Sequence, residues 1–151
     1  MREALFSILG AVLLEGATVL DLFAGSGALG IEALSRGASQ AVFVDSSSAA
    51  VAAIRRNLAA VGVHAEVRRQ DALAYLSGAF RHARLYDLVF LDPPYRRASA
   101  LGRELSAALA PVLAPGARVV TESDRRAPLE LDLELLDERG YGDTLIRIHG
   151  S

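Results

Sequence analysis

The chain has 151 residues, 52% of them apolar and 23% charged, which suits one globular domain with a substantial core. It has no cysteine, which excludes disulfides, a thiol nucleophile and a Cys-type metal site. The formal net charge of −2 is not that of a basic nucleic-acid binder, although all sixteen basic residues are arginine.

The predicted elements follow one another in a regular alternation. Residues 2–14 place Leu5, Ile8, Leu9, Val12 and Leu13 on one helical face, and Gly16 ends that helix. Residues 19–23 (VLDLF) read as a buried strand, the glycines of 25–27 as a tight turn, and 28–36 as a helix. Residues 40–45 (QAVFVD) form a second strand. Ser46 to Ser48 offer N-caps to a helix over 49–61, which Gly62 stops.

A third strand over 64–69 leads past Asp71 to a short helix at 72–80. A basic loop at 81–85 precedes a fourth strand, 86–91 (YDLVFL), closed by Asp92-Pro93-Pro94-Tyr95. An amphipathic helix over 99–113 ends at Pro115-Gly116, and 117–122 form a fifth strand. Residues 123–128 are polar and too few for a full helix. Residues 131–137 and 143–149 flank Gly140-Tyr141-Gly142 and read as a closing hairpin. No run of 18 apolar residues and no secretory leader is legible, so the expected compartment is the cytoplasm, with no membrane partner.

Strands alternating with helices imply a doubly wound α/β, Rossmann-like sheet. Its expected order is 3-2-1-4-5-7-6, with strand 7 antiparallel, in one domain over 1–151. A hairpin finish is unlike a standard dinucleotide domain and is typical of class I methyltransferases.

The turn after the first strand has two readings. Gly25-x-Gly27-x-x-Gly30, with Asp45 twenty residues after Gly25, matches the dinucleotide-binding fingerprint. Asp21, however, stands four residues before the first glycine, where its carboxylate would repel a pyrophosphate. S-adenosylmethionine has an α-amino group, a sulfonium and no phosphate, and suits the acid.

Strands one to four each end in an acid, Asp21, Asp45, Asp71 and Asp92. In an open parallel sheet these tips share one edge, where ligands bind. Each acid alone could equally cap the following helix. Together they suggest a cofactor site in which Asp21 meets the methionine amino group and Asp45 both ribose hydroxyls. Asp71 would accept from the adenine amine, with the Ala72 N–H opposite N1. Phe23, Ala24, Gly25, Gly27, Ser46 and Leu73 complete this expected set.

In Asp92-Pro93-Pro94-Tyr95 two prolines fix the backbone and donate no N–H. The Asp92 side chain and Pro93 carbonyl can then accept from one amino group while Tyr95 stacks on a flat base. An exocyclic amine is a poor nucleophile because its lone pair is delocalised into the ring. Acceptors on its protons favour a pyramidal nitrogen and free that pair. Arg96 and Arg97 are expected to hold phosphates beside the base. Arg68, Arg69, Arg81, Arg84, Arg125 and Arg126 are further candidates.

The opening Arg2-Glu3-Ala4-Leu5-Phe6, the stretch DLFAGSGALGIEALSRGA at 21–38 and LDPPYRR at 91–97 together resemble the RsmD family of class I methyltransferases. The resemblance covers nearly the whole chain. It implies methyl transfer from S-adenosylmethionine, leaving S-adenosylhomocysteine, to guanine N2 of 16S ribosomal RNA in an assembled or assembling 30S subunit. It also implies a flipped guanine held at Asp92 to Tyr95, no metal, and a monomer. Members carry a basic N-terminal arm before the REALF helix. This chain opens on that helix, so the expectation is weaker RNA affinity with cofactor binding intact. Competing readings are the same chemistry on adenine N6 or a protein glutamine, a silent S-adenosylmethionine-binding module, and a nicotinamide dehydrogenase.

Overall fold

The computed structural model describes residues 2–94 and 98–151. Its sheet has seven strands in the order β3-β2-β1-β4-β5-β7-β6. β1 is Thr18–Leu22, β2 Gln40–Asp45, β3 Glu66–Arg69 and β4 Tyr86–Leu91. β5 is Leu113–Asp124, β6 Glu134–Tyr141 and β7 Thr144–Gly150. β1 to β5 are parallel, and β7 runs antiparallel to both β5 and β6. The order and the direction of β7 are those expected from the sequence.

The central strands are apolar at almost every position because both sheet faces are covered. Leu20, Leu22, Val42, Val44, Val89 and Leu91 point to one face, under α5 (Ala72–Arg81) and α6 (Ala98–Leu109). Val19, Ala41, Phe43, Leu88 and Phe90 point to the other. That face is covered by α1 (Arg2–Leu9), α3 (Ala28–Ser35) and α4 (Ser48–Val61). Phe6 of α1 packs its ring 5.9 Å from that of Phe90. The alternation of strand side chains therefore sorts one continuous apolar run into two cores.

Several boundaries differ from expectation, each for a local reason. The single helix expected over 2–14 is two, α1 and a short α2 (Ala11–Leu14), because Gly10 takes φ +83°. The break turns the chain so that Leu14 is buried and Val12 is 94% exposed, the reverse of the face read from spacing. The helix expected to reach residue 113 ends at Leu109 and tightens into a 3₁₀ turn, Ala110–Val112, with Pro111 in its first turn. Pro115-Gly116, expected to stop that helix, instead lies within β5, where the pairing with β4 slips between Tyr86 and Leu88. β6 starts three residues later than expected and runs into the hairpin turn, which tightens to Gly142-Asp143. β3 is shorter by two residues.

One glycine sets how closely α3 can lie on the sheet. A Cβ on Gly30 would collide with the Phe43 ring and approach Asp21 Oδ2 to 3.1 Å. Phe43 is fully buried and has nowhere to move. Gly30→Ala is therefore expected to cost about 1–3 kcal/mol as overpacking, read as a lower urea midpoint. An unchanged midpoint would mean the helix can lift without cost.

Candidate active site

β1 delivers Asp21 to the sheet's carboxyl edge on the face covered by α3. Its register partners on either side are Phe43 and Phe90, so the carboxyl is walled by rings and only 3% exposed. Its Oδ2 accepts the Gly30 N–H at 3.0 Å. Burial raises its pKa, the Gly30 bond lowers it, and the charges of Asp92 and Asp45 raise it further, leaving it at about 8. A carboxylic acid held neutral in this way ionises when a cation arrives beside it.

The chain then turns through three left-handed residues, Phe23 at φ 55°, Gly25 at 59° and Gly27 at 81°. The two glycines bear this without penalty; Phe23 does not, and its strain is typical of a loop shaped around a ligand. Further bonds hold the loop. The Gly25 N–H donates to Asp45 Oδ2 at 3.0 Å, and the Ala24 N–H to the Val44 carbonyl at 3.1 Å. The Asn57 side-chain amide, reaching from α4, donates to the Ser26 carbonyl at 2.9 Å.

Asp45 is thus a clamp between two loops. Its second oxygen accepts the Ser47 N–H at 2.9 Å, while Ser47 itself caps α4 through Ala50 N–H. Ser46, exposed beside it, gives its carbonyl to Arg69 Nε at 3.3 Å. Asp71 follows β3 and caps α5, accepting the Ala74 N–H at 3.2 Å, so the capping role open to each acid is real for this one. Behind it Ala72 is buried and Leu73 half-buried.

Asp92 follows β4 directly, beside the buried Pro93 and the exposed Pro94. It is open to solvent at the edge, yet surrounding protein and the neighbouring Glu122 raise its pKa to about 6. Tyr95, Arg96 and Arg97 lie outside the described residues. The structure brings the expected residues of β1, β2, β3 and β4 to one edge, at the switch point between β1 and β4 where the strand order reverses.

The other arginine candidates are largely engaged. Arg84 donates to both Glu66 oxygens, at 3.0 and 3.1 Å, and to the Tyr75 hydroxyl, which in turn bonds Tyr86. Arg68 shares Glu66 at 2.9 Å, Arg81 donates to Ser77, and Arg126 grips Asp124. The exposed Arg125 gives its backbone N–H to the Asp143 carbonyl. Two useful residues were missed in the sequence. Asn57 left a faint signal as the chain's single asparagine, on an Ala- and Arg-rich helix. Glu122 left one as an acid at the end of the fifth strand.

Carboxyl groups from β1, β2 and β4 thus stand along one sheet edge, and those of Asp21 and Asp92 are pushed toward their neutral forms. Such a site favours a ligand with positive charge and disfavours a pyrophosphate. The group of His, Asp and Glu side chains that a metal would need is not found among the described residues.

Residues 1–150 match the family described as "Conserved hypothetical protein 95". A Bacillus subtilis protein named "Putative rRNA methyltransferase YlbH" is 35% identical over 159 residues, covering 99% of this chain and 83% of that protein. "Ribosomal RNA small subunit methyltransferase D" of Escherichia coli strain K12 is 40% identical over 98 residues. That match spans 64% of this chain and 48%, about half, of that protein. The solved structure titled "Putative methyltransferase yhhF from Escherichia coli" superposes with a TM-score of 0.84 at 34% identity, over 99% of this chain and 82% of that one.

The Asp21 environment has a measurable consequence without any ligand. Folding raises its pKa from 3.8 to about 8. Between these values the folded protein holds a proton that the unfolded chain has released. Its contribution to stability is complete below the lower value and is lost as pH rises through the upper one, by up to about 1.4 kcal/mol per pH unit. Asp21→Asn keeps an oxygen for the Gly30 N–H and removes the titration. Urea melts from pH 5 to 8 are expected to show a flatter profile for this variant, and greater stability than wild type at pH 8. Parallel profiles would mean that Asp21 is ionised in the ligand-free fold.

Proposed function

The chain belongs to the RsmD family of rRNA methyltransferases, and we propose that it transfers a methyl group from S-adenosylmethionine to the exocyclic N2 amine of a guanine in 16S ribosomal RNA. The observation that carries this reading is the Asp92-Pro93-Pro94 turn at the tip of β4, next to the acid-tipped edge of β1 to β3. A substrate amine and a cationic methyl donor have adjoining sites there. The ribosomal substrate, within an assembled or assembling 30S subunit, would place the reaction in the cytoplasm, with the chain acting as a monomer.

The residues present fit the donor. The charges of Asp92 and Asp45 add to burial in raising the Asp21 pKa, and the shifted Asp21 marks a site short of positive charge. Bound S-adenosylmethionine would supply an activated methyl group on a cationic sulfur. Asp21 would ionise toward the amino group of the methionine part. Asp45 already holds two N–H groups, yet each of its oxygens keeps a lone pair for a ribose hydroxyl. Asp71 and the Ala72 N–H would read the adenine edge between Phe23 and Leu73, with Ala24, Gly25, Gly27 and Ser46 as backbone walls.

On the substrate side the Asp92 carboxylate and the Pro93 carbonyl accept the two protons of the guanine amine. That leaves the nitrogen lone pair directed at the methyl carbon. Held by Asp21, Asp45 and Asp71, the donor would supply the methyl group, its C–S bond breaking as the N–C bond forms, to leave S-adenosylhomocysteine and an ammonium-like nitrogen. Asp92 would stabilise this positive charge as it develops, and the nitrogen would release its proton to solvent afterwards. Tyr95 would stack on the base, and Arg96 and Arg97 would grip flanking phosphates.

Small-subunit particles lacking the modification, incubated with labelled donor, test the reading by mapping the labelled base. Label on guanine N2 is expected; label on adenine N6 would replace it. Asp92→Ala is expected to be slower than Asp92→Asn in single turnover, and both at least about 100-fold below wild type. Cofactor affinity should be nearly unchanged in both. The wild-type rate should rise with pH up to about 6, where Asp92 ionises, and level above it. Asp92→Asn should lose that rise. Asp45→Ala should weaken donor binding by about 1–3 kcal/mol in calorimetry. Near-normal turnover by Asp92→Ala would remove the Asp-Pro-Pro turn from the reaction.

A further inference from the structure

Glu122 stands two residues before the end of β5, the strand beside β4. Leu91 pairs in register with Thr121, so Asp92 and Glu122 are the next residues along two parallel chains. Side chains at matched positions of neighbouring strands share a sheet face, and the strands lie about 4.8 Å apart. Two carboxyl groups therefore stand side by side at the sheet edge. The Glu122 charge raises the Asp92 pKa, and burial raises that of Glu122 itself. Both, with Pro93, line a cavity of about 200 Å³ together with Asp143 and Thr144.

Among the described residues no side-chain hydrogen bond or ion pair engages the Glu122 carboxylate. Arg126 is engaged with Asp124. Arg2 lines a small apolar cavity with Glu122, and no ion pair joins the two among the described residues. A half-buried carboxylate without a partner costs stability, which a role toward a ligand would explain.

The guanine base has two adjacent donors on its Watson–Crick edge, the ring N1–H and the N2 amine. Adenine has an acceptor, N1, at the same place. Ionised carboxylates only accept. We propose that Glu122 is the specificity-determining residue of the base site, accepting the guanine N1–H while Asp92 and the Pro93 carbonyl hold the N2 amine. This rests on the guanine-N2 reading above. Adenine N1 would turn its lone pair toward a carboxylate and leave both groups unpaired, a mismatch of the kind that discriminates strongly.

The test uses small-subunit particles reconstituted with RNA that carries either guanine or 2,6-diaminopurine at the target position. Diaminopurine keeps the 2-amine and replaces N1–H by an acceptor. Single-turnover transfer is measured for wild type, Glu122→Gln and Glu122→Ala, with donor binding by calorimetry as the control for folding. Wild type is expected to favour guanine by about 100-fold or more. Glu122→Gln, whose amide can donate to N1, should lose about 10- to 100-fold on guanine and narrow the preference at least about tenfold. Glu122→Ala should lose rate on guanine without gaining on diaminopurine. Donor affinity should not change in either. Equal losses on both bases in Glu122→Gln, unchanged rates, or a wild type indifferent to the base would each overturn the proposal while guanine N2 labelling still stood. Wild-type label on adenine N6 would overturn the guanine reading and this inference together.

Discussion

The hydrogen bond from the Gly30 N–H to Asp21 Oδ2, at 3.0 Å, joins the first turn of α3 to β1, an interior strand of the sheet. It forms because Gly30 lacks a side chain, so α3 can lie directly on the Phe43 ring. Those two residues decide where the helix begins and how sharply the chain must turn after β1. The left-handed Phe23, Gly25 and Gly27 are the backbone's answer to that demand. Gly25 then presents its N–H to Asp45, and the loop after β2 is fixed in turn. One close approach thus propagates across two loops.

The same arrangement concentrates like charge. A protein core ordinarily excludes an unpaired acid. Here Asp21 is buried between two phenylalanine positions, and Asp45 and Asp92 stand near enough to act on it. Structure alone does not neutralise this edge. The strain in Phe23, the elevated Asp21 and Asp92 pKa values and a Glu122 without an ion pair among the described residues all lie along it, while Arg68 and Arg84, Arg81 and Arg126 are engaged by Glu66, Ser77 and Asp124. The acids that raise one another's pKa cluster where the ligand would enter.

Rigid support is divided by function. The loops proposed to hold the donor are tied together by hydrogen bonds through Asp45, Ser47 and Asn57. The turn proposed to hold the substrate is fixed by covalent restriction, because two consecutive prolines fix their own φ angles. An amine to be methylated needs acceptors in fixed places, and proline keeps the Pro93 carbonyl in position without adding an N–H that would compete for it. The antiparallel β6–β7 hairpin contributes too, since β7 covers β5 and brings Asp143 and Thr144 beside Asp92.

Strand order, the direction of β7 and the four acid tips were legible in the residues themselves, because patterned apolar runs, glycine turns and strand-end acids are local signals. So was the rigid Asp-Pro-Pro turn. Local signals failed where the backbone traded one neighbour for another. Gly10 broke a helix whose apolar spacing continued unbroken, and the α6–β5 junction moved because Leu113 found a strand partner in Tyr86. Roles within the site were also beyond reach of spacing. That Asp71 caps a helix, that Asp45 clamps two loops and that Asn57 props a carbonyl depend on contacts between residues far apart in the chain. The nearness of Glu122 to Asp92 is the clearest case. Thirty residues separate them, and only the parallel register of β4 and β5 sets their carboxyl groups side by side. The sequence by itself determined which chemistry the edge of the sheet carries; pairing between distant strands decided which groups act on one another, because electrostatic coupling depends on distance in space.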